Sequence, residues 1–175
     1  MPNSIRENNA DVRSFVRFHA KDVRTALDVG PGEGTYYNLL HDLVPTMDAV
    51  EIWAQNITDF ALTSKYRDVW NQDARTFAFH FPGSEDYDLI IFGDVLEHLS
   101  VEDAVSVFTR ARAASKWVLV SVPIIHFPQG EIDGNHAETH LIEDPLDELI
   151  PLLGTPEYTF KYQYTGTFIY RGDLR

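Results

Sequence analysis

An α/β fold, doubly wound with helices on both faces of a mainly parallel seven-stranded sheet, is predicted by three features of the sequence. Short apolar runs alternate with amphipathic stretches, the pattern of successive β-α units. Three glycines, Gly30, Gly32 and Gly34, stand at alternate positions directly after the first apolar run. The chain closes with two aromatic, alternating runs separated by a few residues. That gap is too short for a parallel crossover, so the two runs form a C-terminal antiparallel β-hairpin.

The elements follow in order. Residues 9–22 carry Val12, Phe15, Val16 and His19 at helical spacing on one face. TALDVG (25–30) is a buried strand, and 33–43 a helix that Pro45 ends. MDAVEIW (47–53) is the second strand, and NITDFALTSKY (56–66) a helix with Asn56 or Thr58 as its cap. DVWNQDA (68–74) is a short third strand. YDLIIFG (87–93) is almost continuously apolar, as in a strand covered on both faces. A helix over 101–114, the strand KWVLVSVP (116–123) and a helix over 144–154 come next. EYTFKYQ (157–163) and TFIYR (167–171), joined around Gly166, make the hairpin. No repeat, low-complexity tract or interior linker interrupts this order. The expected organisation is an N-terminal helical segment over 1–24 leading into one domain over 25–175.

Composition narrows the function. No apolar run is long enough to span a membrane, and the first residues lack the apolar core of a signal peptide. With no cysteine there is no disulfide, thiolate metal site or thiol nucleophile, and a cytoplasmic location is expected. Fourteen basic against 27 acidic residues leave a net charge of -13, which repels polyanions and argues against nucleic acid as a partner. Arg6, Arg13, Arg17, Lys21 and Arg24 cluster early, but Glu7, Asp11 and Asp22 among them suit a solvated helix face.

In a doubly wound sheet, ligands sit at the carboxyl ends of the strands. Glycines between a strand and a helix there permit positive φ and let a ligand pack on bare backbone. A dinucleotide fingerprint needs glycine where Thr35 stands, and a phosphate-binding loop needs a lysine, absent between Lys21 and Lys65. The loop instead carries Asp28 and Glu33, which suit a cationic head group. Glu51, at the end of the second strand, is placed to accept from two ribose hydroxyls. Asp73 can accept from the adenine amine, with the Ala74 N–H on a ring nitrogen. A cationic amino-acid head, a ribose and an adenine, with no phosphate, make S-adenosylmethionine.

TALDVGPGEGTY, followed by AVEIW, NQDARTF and YDLIIFGDVLEHLS, resembles the class I S-adenosylmethionine-dependent methyltransferases, particularly the compact type 11 and type 23 groups. The resemblance covers roughly residues 20–125 and the terminal hairpin. It implies that Asp28, Gly30, Gly32 and Glu33 line the methionine end, that Glu51 binds the ribose, and that Pro31 and Ile52 also belong to the cofactor site. Asp73 and Ala74 would flank adenine, while Gly93 and Asp94 hold the methionine amino group or face the substrate. Trp53 and Phe92 could sandwich adenine or belong to the core. The cofactor would be S-adenosylmethionine and the product S-adenosylhomocysteine.

Methyl transfer from a sulfonium is an in-line displacement that alignment accelerates, with a base needed only when the acceptor loses a proton. Asp94, His98 and His140 are the candidate catalytic residues, drawn from Asp94, Glu97 and His98 in GDVLEHL and His126, His136, Glu138 and His140 in IIHFPQGEIDGNHAETHL. Gly130, Gly134 and Asn135 make that second segment a bent, mobile cover. Asp94-x-x-Glu97-His98 with His136 or His140 also invites a divalent metal, and resembles metal-using O-methyltransferases that carry Glu-x-x-Glu-His here. The Leu-Glu-His-Leu pattern is, however, widespread in methyltransferases without a metal, where the pair starts a helix; no metal is expected. Gly93-Asp94-Val95-Leu96 lacks the Pro-Pro motif of DNA amino-methyltransferases, and the insertions are small. The expected acceptor is a small molecule or a side chain on a partner, unless a second subunit of a homodimer completes the pocket. The alternatives are a non-catalytic binding partner within a heteromeric methyltransferase and a metal-assisted O-methyltransferase. A third, a nucleotide-sugar or NAD enzyme, is opposed by Thr35.

Overall fold

Every residue of Tyr87–Gly93 is buried, because this strand lies in the middle of the sheet with helices on both sides. The computed structural model describes residues 7–80 and 87–174, so Arg6 and the rest of the first six residues lie outside it. The strands are β1 (Thr25–Val29), β2 (Thr46–Glu51), β3 (Val69–Asn71), β4 (Tyr87–Gly93), β5 (Ser115–Pro123), β6 (Tyr158–Lys161) and β7 (Thr165–Arg171). They form one sheet in the order β3-β2-β1-β4-β5-β7-β6. β1 to β5 are parallel, and β7 enters antiparallel between β5 and β6, as a hairpin at the end of the chain requires. The strand order reverses between β1 and β4, which opens a crevice at their carboxyl ends.

Alternation along the strands divides the core into two layers. Leu89 and Ile91 face α1 (Asn9–Phe18) and α2 (Thr35–Leu40), packing with Phe15, Val16, Tyr36 and Leu40. Ile90 and Phe92 face the opposite layer, where α4 (Val101–Ala113) contributes Val107, Phe108 and Ala111. Each such side chain, fully buried, contributes about 1.5–3 kcal/mol. Ser100 caps α4 by accepting from the Asp103 N–H at 3.1 Å, with Glu102 and Asp103 in the first turn and Arg110 and Arg112 in the last.

Helix ends differ from the sequence expectation for local reasons. α1 stops at Phe18, and the Ala20 N–H turns back to the Phe15 carbonyl. The helix expected over 56–66 is α3 (Ala54–Asp59) plus a 3-10 turn at Leu62–Ser64. Ala61, at φ 49, breaks the ladder and lets Leu62 and Tyr66 reach the core. The helix expected over 144–154 is α5 (Pro145–Glu148) and a 3-10 turn at Ile150–Leu153, because Pro151 lacks the N–H that a continuous helix needs. β3 is shorter than expected, since it sits at the sheet edge with its side chains partly exposed.

Candidate active site

The turn after β1 is built on close backbone approach. Gly30 has φ +66, and a Cβ there would meet Val95 Cγ2 at 2.6 Å. Across the crevice, a Cβ on Gly93 would lie 2.1 Å from the Tyr36 ring, so the end of β4 must be bare for α2 to pack over it. These two glycines form the floor of a cavity of about 540 Å³ at the carboxyl ends of β1, β2 and β4. Gly30, Pro31, Gly32, Glu51, Ile52, Asp73, Ala74, Gly93 and Asp94 all line it.

Glu51 is 3% exposed and aims into this cavity from the end of β2. Its carboxylate accepts from the Trp53 N–H at 2.8 Å, the Asn56 side chain and the Gly32 N–H. Burial still pushes its pKa up, because those donors offset only part of the desolvation. Asp73, which lines the cavity just after β3, is gripped by Arg75 through a 2.6 Å ion pair and accepts its N–H at 2.8 Å. Arg75 holds the Asp73 carboxyl below its usual range.

Two expected cofactor residues do not reach the cavity. Asp28 is completely buried beneath the turn, where it accepts from the Tyr66 hydroxyl at 2.6 Å. It supports the loop from below rather than facing a ligand. Burial pushes its pKa to about 7, even though the Tyr66 hydrogen bond works in the other direction. Glu33 lies outside the cavity lining, and its carbonyl is tied to Lys65 Nζ at 2.7 Å. Phe92 is fully buried core rather than an adenine wall, and Trp53 contributes its backbone N–H to Glu51.

The other end of the cavity holds the candidate catalytic residues. Asp94, His98 and His140 all line it, together with Glu97 and Glu138. Asp94 has φ 56 and donates its N–H to the Ser121 carbonyl at 2.9 Å. A 3-10 turn, Leu96–His98, then carries Glu97 and His98 inward. The loop after β5 is stitched to this turn, with the Leu141 and Ile142 N–H groups donating to the Glu97 carbonyl at 2.9 and 3.0 Å. His140 thereby comes to lie with its ring centroid 4.7 Å from that of His98. Burial and the neighbouring His140 push the His98 pKa down to about 4, and burial lowers that of His140. Burial raises Glu97 well above the carboxylate range, and Asp94 and Glu138 add repulsion.

The remaining histidines separate. His126 is exposed outside the cavity, 2.9 Å from Asp144, and burial plays little part in its raised pKa, which that carboxylate causes. His136 stays on the rim, its Nδ1 2.6 Å from Glu131. Asn56, Tyr66 and Thr165, whose contributions sequence reasoning missed, support or line the site through long-range contacts that leave no local pattern.

Solved structures share this architecture. The chain is similar to the N-methyltransferase NodS from Bradyrhizobium japonicum WM9 in complex with S-adenosyl-L-homocysteine. The two are 13% identical over 97% of this chain and 87% of that one, with a TM-score of 0.69. It is similar to magnesium protoporphyrin IX methyltransferase from Synechocystis PCC 6803 with bound SAM, at 13% identity, 94% and 77% coverage, and a TM-score of 0.65. The likeness to the mitomycin 7-O-methyltransferase MmcR has 16% identity and a TM-score of 0.59. It covers 94% of this chain, which spans about half, 54%, of that longer one. No family model matches the sequence, and no curated protein does. Identities this low show a shared fold: the chain has the fold of the class I S-adenosylmethionine-dependent methyltransferases.

Proposed function

We propose that the protein transfers a methyl group from S-adenosylmethionine to an oxygen or nitrogen atom of a small-molecule acceptor. The observation that carries this assignment is Glu51, a nearly inaccessible carboxylate held in place by backbone and Asn56 donors beside the bare Gly30 turn. That pairing of a ribose acceptor with backbone stripped of side chains suits a nucleoside whose charged end carries no phosphate. NodS and the Synechocystis enzyme, crystallised with S-adenosylhomocysteine and SAM respectively, support the same ligand.

In the displacement, a lone pair on the acceptor forms the new bond to the methyl carbon as the carbon–sulfur bond breaks, and S-adenosylhomocysteine leaves. The chain's own contribution is alignment. Glu51 and the Gly30 turn fix one end of the donor, Ala74 and Ile52 border the base, and Asp94 closes the end nearest the reacting atoms. The acceptor enters between Asp94 and His140, beneath the loop that carries Phe127, Ile132 and Leu141. Among the described residues, Arg75 is the one Lys or Arg in the cavity lining, and it is paired with Asp73. The acceptor end therefore favours a neutral or cationic molecule over a carboxylate or phosphate.

Equilibrium titration with S-adenosylhomocysteine, S-adenosylmethionine and NAD tests the assignment. Glu51→Ala is expected to weaken S-adenosylhomocysteine binding by at least about tenfold, the scale of one lost hydrogen bond to a charged group. Unchanged affinity would remove Glu51 from the ribose site, and tight NAD binding without either sulfur nucleoside would overturn the function. Release of S-adenosylhomocysteine across an acceptor panel then separates transfer from binding alone.

A further inference from the structure

Glu97 is completely inaccessible, yet neither of its carboxylate oxygens finds a hydrogen-bond donor on another residue. A buried charge in that state is costly unless a cation meets it. It does not start a helix either: α4 begins at Val101 under its own Ser100 cap, and Glu97 lies in the preceding 3-10 turn. The helix-start explanation for this Glu-His pair therefore fails here.

The two histidines beside it are both anchored to backbone carbonyls. His98 Nδ1 faces the Thr139 carbonyl at 3.3 Å and His140 Nδ1 faces the Phe127 carbonyl at 2.6 Å. A carbonyl can only accept, so the His140 Nδ1 carries the proton and its Nε2 keeps a lone pair, while the carbonyls of Thr139, Asp94 and Glu138 all lie against the His98 ring. Carbonyl-anchored histidines of this kind are the usual arrangement around a bound metal. Ligand atoms of Glu97, His98 and His140 all lie within 4.8 Å of one another. Among the described residues, no Lys or Arg lines this end of the cavity to neutralise the carboxylate.

We propose that Glu97, His98 and His140 form a binding site for one divalent transition-metal cation, a site that opens toward the acceptor end of the cavity. Two imidazole nitrogens and a carboxylate suit Mn²⁺, Fe²⁺, Co²⁺ or Zn²⁺, whereas Mg²⁺ and Ca²⁺ prefer all-oxygen ligands. Three protein ligands leave at least one coordination position for water or an acceptor oxygen. When bound, such a cation supplies Lewis acidity to an acceptor hydroxyl. That role rests on the methyl-transfer assignment, whereas the binding itself stands on the geometry alone. The ligands come from two segments, the turn after β4 and the loop after β5, so occupancy also fastens that loop across the cavity.

The test is isothermal titration of chelator-stripped, dialysed protein with Mn²⁺, Co²⁺, Zn²⁺ and Mg²⁺, read beside thermal unfolding and the visible spectrum of the Co²⁺ form. One equivalent of Co²⁺ or Zn²⁺ is expected to bind at least about tenfold more tightly than Mg²⁺. Glu97→Gln and His140→Ala should each weaken binding by about 100-fold or more, while His126→Ala, outside the cavity, leaves it unchanged. Metal-free Glu97→Gln should unfold at a temperature no lower than the parent, since it removes a buried carboxyl whose oxygens have no hydrogen-bond partner. Failure of all four cations to bind stoichiometrically, or full affinity in both ligand variants, would overturn the site. S-adenosylhomocysteine titrated in parallel keeps the two conclusions apart. Nucleoside without metal defeats this site alone, and metal without nucleoside defeats methyl transfer alone.

Discussion

Asp28 shows how a carboxylate can matter to a site it does not line. It is buried under the glycine turn with the Tyr66 hydroxyl on one oxygen, and its other oxygen has no partner. Folded protein holds its proton up to about pH 7, whereas an unfolded aspartate releases it near pH 4. Between those values the native state binds more protons, so this group's contribution to stability falls as pH rises and stays low above pH 7. Asp28→Asn keeps an acceptor for Tyr66 and removes the titration. Its urea midpoint should match the parent's near pH 4 and exceed it above pH 7, by up to about 4 kcal/mol in stability. A pH-independent difference would contradict the assignment. At this scale the sequence was legible only in part: Gly30 and Glu51 line the cavity as their spacing suggested, and Asp94 as the resemblance implied. Asp28 and Glu33 do not, because a five-residue strand end does not reveal which acids point up and which point down.

Among the elements, α4 is the one whose limits the sequence states most clearly. Ser100 accepts from the Asp103 N–H, acids fill the first turn and arginines the last, so side-chain chemistry marks both ends. Ser100→Ala should cost about 1 kcal/mol in thermal or urea unfolding, and a loss below a few tenths would show that the cap is idle. The segments over 56–66 and 144–154 read as continuous helices from apolar spacing, yet each breaks in two. Pro151 was a visible warning in the second. The left-handed Ala61 in the first was not, since it arises from the demand to bury Leu62 and Tyr66 against the sheet.

Over the whole molecule, topology places the cavity. β1 and β4 are neighbours although β2 and β3 lie between them in the chain, and the crevice opens where they diverge. The hairpin adds to it from the far side. Thr165, at the start of β7, lines the cavity and is held by Glu7, which accepts from the Tyr164 and Thr165 N–H groups at 2.9 and 3.2 Å. The segment before α1 thus closes on a strand near the other terminus. With a net charge of -13 spread over this surface, the protein should show no binding of duplex or single-stranded oligonucleotides in fluorescence anisotropy at physiological salt. Tight, salt-sensitive binding would mean a basic surface that the charge balance conceals. No helix among the described residues is long and apolar enough to cross a membrane.

The sequence by itself determined the β-α order, the hairpin and the glycine turn, because strand burial, helix periodicity and turn chemistry are local and leave periodic marks. Only the tertiary structure decided that ligand atoms of Glu97, His98 and His140 lie within 4.8 Å of one another, and that both rings are anchored to backbone carbonyls. Those relations depend on two loops that place His98 and His140 together from 42 positions apart in sequence, stitched by backbone hydrogen bonds, and on which carbonyls happen to face each ring. Side-chain partners set across the fold have no period along the chain, and so no local pattern could announce them.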